Sequence, residues 1–320
     1  MILAAALAAA GTLPAGAETW LYGLTTTSME EGNGRIVRVD VETLSSDMQN
    51  PTQFEEIATV EYANDFMAGT SVNGLYYCYY NTYDASSGVS MQHFGTLDFK
   101  TGDFSTIAEA NHVDSDDVTD MMDMTYDPVG GGLLGLDRQY VPSQDKFVST
   151  IQNISMARGK LQEIFLFDRK YVAICSDGEG GYYLATLDKD ADEVYRPEFY
   201  KADGRFNVTR ILTDASSLAG ESSFAHSMTI DDNRLYLVTG SVVTRLDLTT
   251  HNAENFYLEK GLYGVTFVPG GTVGVCAPTF DDSGNCEPVY YDMQGRRLSE
   301  PRSGEPCIRL TGSKAEKVMY

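Results

Sequence analysis

Four aspartates, Asp65, Asp120, Asp123 and Asp168, stand with Asn64, Lys170, His226 and Tyr263 at or just before the start of short apolar segments spread along the chain. Carboxylates beside an imidazole, an amine and a phenol are the side chains of general acid and base catalysis. A pair of carboxyl groups about 5 to 10 Å apart is what glycoside cleavage uses. The same residue types hold polar ligands, and Asp and Asn also end strands and shape turns with no chemistry attached.

Other chemistries lack their residues. His93, His112, His226 and His251 are far apart and show no paired zinc spacing. The aspartates from Asp114 to Asp127 run from a loop into a strand, where alternate side chains point opposite ways. Calcium is the one cofactor the pattern admits, at the compact turn from Asp188 to Glu193, although that turn lacks the glycine a calcium loop uses. No Gly-x-Ser-x-Gly elbow, phosphate loop or dinucleotide fingerprint occurs where a strand meets a helix. The glycine runs at 130 to 132 and at 270 and 271 fit hairpin turns.

The elements that must position these residues repeat. An apolar, aromatic strand recurs as LYGLTTTS from 21, LYYCYYN from 75, LLGLDRQ from 133, YYLATLD from 182 and LYLVTGS from 235, at intervals of 54, 58, 49 and 53 residues. Four of the five follow another strand and a Gly or Asn turn, so each pair reads as a hairpin. A third and a fourth strand follow, as in RIVRVDVETLS from 35, FGTLDFKTGDFSTI from 94 and VTRLDLTTHNAENF from 243. A four-stranded meander of this kind cannot keep both faces dry alone, so copies must stack, and radial stacking gives an all-β propeller.

The first unit lacks its first strand, and YGVTFVPGG from 263 supplies one. Five blades closed by strands from both ends is the simplest count; TVGVCAPT, 272 to 279, leaves a sixth open. Only Ile154 to Phe165 carries a helix-like stretch, as an insertion in the third unit. The dense Tyr76, Tyr77, Tyr79, Tyr80 and Tyr83 are expected to pack between blades, with exposed ones free to stack on sugars or peptides. The eight chemistry-bearing residues named first would then gather around one axial mouth.

With 46 acidic against 23 basic residues, the chain repels nucleic-acid phosphates and anionic lipid surfaces. The opening MILAAALAAAGTLPAGA, 1 to 17, has the apolar run and small-x-small ending of a signal peptide, which implies export. No later segment approaches the roughly 20 apolar residues of a membrane-spanning helix. The propeller is expected over 18 to 279, a polar linker over 280 to 288 and a small β module over 289 to 320. That last stretch shifts in charge, with six basic against four acidic residues from 291 onward. The five cysteines are widely spaced, and Cys276 and Cys286 are the best-placed pair for a bridge.

The module carries Val289-Tyr290-Tyr291-Asp292-Met293-Gln294-Gly295-Arg296-Arg297, then Pro301, Gly304, an apolar strand at Cys307 to Leu310, and Lys314 with Lys317-Val318. It resembles the C-terminal sorting domain of type IX secretion in exported Bacteroidetes proteins. It departs at Glu305-Pro306-Cys307, where an aromatic after glycine is usual, and in its Met319-Tyr320 end. The resemblance implies an envelope or extracellular protein and covers none of the propeller.

With no catalytic motif recognised, the leading expectation is an exported non-catalytic propeller that binds a glycan, peptide or protein partner at one end of its axis. The alternatives are a surface polysaccharide hydrolase or lyase, with acid and base among Asp65, Asp123 and Asp168, and a structural envelope protein with a filled axis.

Overall fold

In a computed structural model the chain divides into two compact units, 1 to 273 and 274 to 320. The structure describes residues 20–26, 33–61, 63, 65–72, 75–84, 89–111, 119–213, 218–221, 225–231, 233–267, 289–291, 297–298, 306–311 and 314–319. The stretches 1 to 17, 272 to 279 and 280 to 288, on which the leader, a sixth blade and the linker were expected, lie outside these residues, as do Asn64 and the pair Cys276 and Cys286.

The larger unit is a five-bladed propeller of four-stranded antiparallel sheets. Its first blade contains β1 (Trp20–Thr26), β2 (Gly34–Asp40) and β3 (Glu55–Val60). The second is β4 (Asp65–Val72), β5 (Leu75–Asp84), β6 (Val89–Leu97) and β7 (Phe104–Asn111). The third is β8 (Met121–Asp127), β9 (Gly132–Val141), β10 (Lys146–Ile154) and β11 (Leu161–Leu166). The fourth is β12 (Ala173–Ser176), β13 (Tyr182–Lys189), β14 (Tyr195–Ala202) and β15 (Val208–Ile211). The fifth is β16 (His226–Asp231), β17 (Arg234–Thr239), β18 (Val242–Asp247) and β19 (Ala253–Tyr257). Finally β20 (Tyr263–Phe267) returns to pair with β1, so the innermost strand of the first blade comes from the far end of the unit. The recurrent phrases thus mark real hairpins, and YGVTF closes the ring as its pattern indicates.

The helix-like stretch at Ile154 to Phe165 is corrected: it is the end of β10, a turn through Ser155 to Lys160, and most of β11. A single 3-10 turn, Val41–Thr43, capped by the Asp40 carboxylate on the Glu42 N–H, is the helical structure among the described residues.

Strand alternation sends each blade's two faces into two different seams, which is why the ring holds together. Tyr76, Cys78 and Tyr80 of β5 pack toward the first blade with Leu24, Ile36 and Phe66, while Tyr79 of the same strand packs toward the third with Met121, Leu133 and Ile154. Comparable apolar clusters fill the seams between blades three and four, four and five, and five and one. Burial of large apolar side chains contributes about 1.5 to 3 kcal/mol each, so these five seams carry most of the stabilisation. The tyrosines fall as expected: Tyr76, Tyr79 and Tyr80 are buried and Tyr83 is exposed. Cys78 and Cys175 are free, buried thiols.

The smaller unit holds β21 (Val289–Tyr291), β22 (Arg297–Leu298), β23 (Pro306–Thr311) and β24 (Lys314–Met319), an antiparallel sheet in the order β22-β21-β23-β24. Among the described residues no helix is long and apolar enough to cross a membrane.

Candidate functional site

The inner strands β4, β8, β12, β16 and β20 surround the axis, and their N-terminal ends share one mouth. Asp65 opens β4, Asp120 precedes β8, Lys170 lies in the approach to β12, His226 opens β16 and Tyr263 opens β20. Each blade therefore brings one of the expected residues to the same end.

Asp65 is exposed at the rim, yet the surrounding protein raises its carboxyl above the usual range, against a hydrogen bond from Asn81 that lowers it. Tyr263 stands close enough for the Asp65 charge to add to the effect of burial, which together lift its hydroxyl to about 12. On the third blade the half-buried Asp120 pairs with the Arg138 guanidinium. Asp137, beside Arg138 on β9, is also half-buried, and burial raises its carboxyl.

Lys170 stands near the same Asp120 and Arg138. Burial lowers the Lys170 amine, and the nearby Arg138 lowers it further. His226 is only 4% exposed, and its Nδ1 has no hydrogen-bond partner among the described residues. Burial first, then Lys170 and Arg138, push this imidazole down to about 4, so it is neutral at pH 7.

Asp123 is not a mouth residue. A β-bulge between Met121 and Asp123 turns its side chain into the axis, where it is 0% exposed. One carboxylate oxygen accepts from the Ile174 and Met228 N–H groups at 3.0 Å each, and the other from the Ser227 hydroxyl at 2.9 Å and the Met124 N–H at 3.0 Å. Ser227 Oγ in turn accepts from the Val265 N–H at 2.9 Å. One buried carboxylate thus ties β8, β12 and β16 together and reaches β20 through Ser227. Burial lifts it to about 8, while the hydrogen bonds it accepts pull the other way.

Asp168 is corrected as well. It lies in an exposed bend before β12, and its carbonyl takes the Nζ of Lys146 at 2.8 Å, which places it over the third strand of its blade instead of the axis. Spacing had aligned it with the other strand starts, but β12 begins only at Ala173.

The reading of single strand starts missed Asp137, Arg138 and Asn81. Second strands run antiparallel to inner strands, so their residues opposite the inner strands' starts reach the mouth too; the Asp137-Arg138 pair in LLGLDRQ carried that signal. At the Asp188 to Glu193 turn, considered for calcium, Asp190 accepts from the Asp192 and Val194 N–H groups and from Arg196, and Glu193 pairs with Lys189. Among the described residues no group of three His, Cys, Asp or Glu side chains is arranged to hold a metal.

No family model matches the chain. No curated protein matches it either. Among solved structures it is similar to the GH93 α-L-arabinofuranosidase of Fusarium graminearum, at 10% identity and a TM-score of 0.43 over 77% of this chain and 83% of that one. It is also similar to an endo-arabinase from Bacteroides thetaiotaomicron, at 10% identity and 0.41 over 77% and 93%, and to an α-L-arabinofuranosidase from Clostridium thermocellum, at 9% and 0.38 over 87% and 92%. The expectation of a non-catalytic binding propeller is corrected by this finding, since the structures it is similar to are those of glycoside hydrolases and arabinases.

Proposed function

We propose that the chain is a polysaccharide hydrolase whose acid and base are Asp65 and Asp120 at the axial mouth. The observation that carries this reading is that two solvent-reachable carboxylates on adjacent blades sit in opposed environments. Protein around Asp65 favours its protonated form, whereas Asp120 faces a guanidinium. A carboxyl whose surroundings favour the proton suits the acid, and a solvent-reachable carboxylate in an ion pair suits the base. Asp65 gives its proton to the glycosidic oxygen as the bond to the anomeric carbon breaks, and Asp120 takes a proton from the water that attacks that carbon. Lys170 and Tyr263 supply hydrogen bonds to sugar hydroxyls. We take the polymer to be extracellular, in keeping with the leader-like opening and the sorting-domain-like tail.

Release of reducing ends from a panel of neutral and acidic polysaccharides tests the reading. Asp65→Asn and Asp120→Asn should each lower kcat by about 10²- to 10⁴-fold while near-ultraviolet dichroism stays unchanged. In the natural chain the rate should fall on the alkaline side as Asp65 loses its proton, and Asp65→Asn should remove that limb. Undiminished rates in both variants, or no release from any polymer, would overturn it.

A further inference from the structure

The seam between blades two and three opens outward into a cavity of about 330 Å³, at the small end of the range for small-molecule sites. Its floor is one face of blade two: Tyr79, Gln92 and Phe94, with the small Ala108 and Ala110 leaving the space. Its wall is the turn from β10 to β11, carrying Arg158, Gly159 and Lys160. Gly159, at φ 64°, lets the turn approach closely, because a Cβ there would stand 2.6 Å from that of Ala108.

Two observations point to a ligand. Eight arginines of the propeller are in salt bridges with carboxylates, whereas the side chains of Arg158 and Lys160 have no partner among the described residues. Both stand on one wall of the cavity, in a chain with 46 acidic against 23 basic residues. Tyr79 is 3% exposed, and its hydroxyl has no hydrogen-bond partner among the described residues, although burying a hydroxyl unpaired costs about 1 to 3 kcal/mol.

We propose that this cavity binds an acidic monosaccharide unit, a uronate, with its carboxylate on Arg158 and Lys160 and one of its hydroxyls on the Tyr79 phenol. The long-range field of the chain opposes anions, so recognition acts at contact and weakens with salt. Glu109 also borders the cavity, but its carboxylate is turned to His93 Nδ1 at 3.3 Å, on the other face of β7. The inner end of the cavity is fixed through Gln92, whose amide donates to the Thr119 carbonyl and accepts from the Thr119 N–H next to Asp120.

The site is independent of hydrolysis at the mouth, so binding is best measured by calorimetry on the full chain carrying Asp65→Asn. Uronate oligomers should bind, neutral oligomers of the same length should bind about tenfold more weakly, and inorganic phosphate should bind more weakly than the uronate. Arg158→Ala with Lys160→Ala should lower uronate affinity about tenfold or more and leave neutral oligomers unchanged. Ala110→Leu, which fills the cavity and leaves both cations, should weaken uronate binding as well. Equal binding of acidic and neutral oligomers, phosphate binding as tightly as uronate, uronate binding unaffected by the cation-free or filled variants, or no binding at all would each overturn the proposal.

Discussion

Asp120 stands just before inner strand β8 and Asp123 three residues further on, within it, and they do opposite work. The mouth keeps its carboxylate half-exposed beside a guanidinium. The centre of the axis closes four donors around its carboxylate and admits no water-sized access. The difference teaches that in a propeller the depth of a polar residue along the inner strand decides its role: within the first residue or two it can meet a ligand, and a turn of the pleat further in it can only join blades.

The sharpest way to break this contrast is Asp123→Ala, which leaves three inner-strand N–H groups and a hydroxyl unpaired in the axis. It should destabilise the propeller by about 3 to 5 kcal/mol in urea unfolding. A variant that loses hydrolysis at full stability would move Asp123 back among the catalytic residues.

A second test uses pH, because the two regions respond with opposite sign. The Asp123 carboxyl is held above the unfolded-chain value near 4, so its contribution is complete below about pH 4 and is lost as pH rises through about 8. His226 is held below the unfolded value near 6.5, so its contribution is present above about 6.5 and is lost as pH falls through about 4. His226→Gln should flatten the acid side of the stability profile by about 1 to 3 kcal/mol and leave the alkaline side unchanged. An unchanged acid limb would mean that the mouth imidazole is hydrated.

Tyr76→Phe removes the hydroxyl that donates to the Gly264 carbonyl between blades two and one, and unfolding should register about 1 kcal/mol. The smallest effect is expected for Asp120→Asn, within about 1 kcal/mol, because an ion pair that water reaches contributes little. A larger loss would assign Asp120 to the framework and remove it from the mouth chemistry.

The propeller was legible because each unit repeats the same alternation, and the orphan first unit asked for the strand that β20 supplies. The mouth was half legible. Asp65, His226 and Tyr263 begin regular strands, so position in the repeat gives position in space. Asp123 was misplaced because inner strands are buried on both faces: MMDMTYD is enclosed almost throughout, so its polar residues carry no alternation from which depth could be read. The bulge that re-aims Asp123 adds no residue type a reader would notice. Arg138 was hidden for another reason, since its partner Asp120 lies 18 residues away and only antiparallel pairing brings them together.

The strand that completes the first blade is also the last of the propeller to be synthesised. While the chain emerges, β1 presents a bare edge through the making of all four other blades, and every intermediate short of Tyr263 is an open arc with an unpaired strand at one end. Assembly of this molecule therefore cannot finish from its beginning onward; a nascent chain stalled before that point has a sticky flank in place of a seam, and quality control has one place to look.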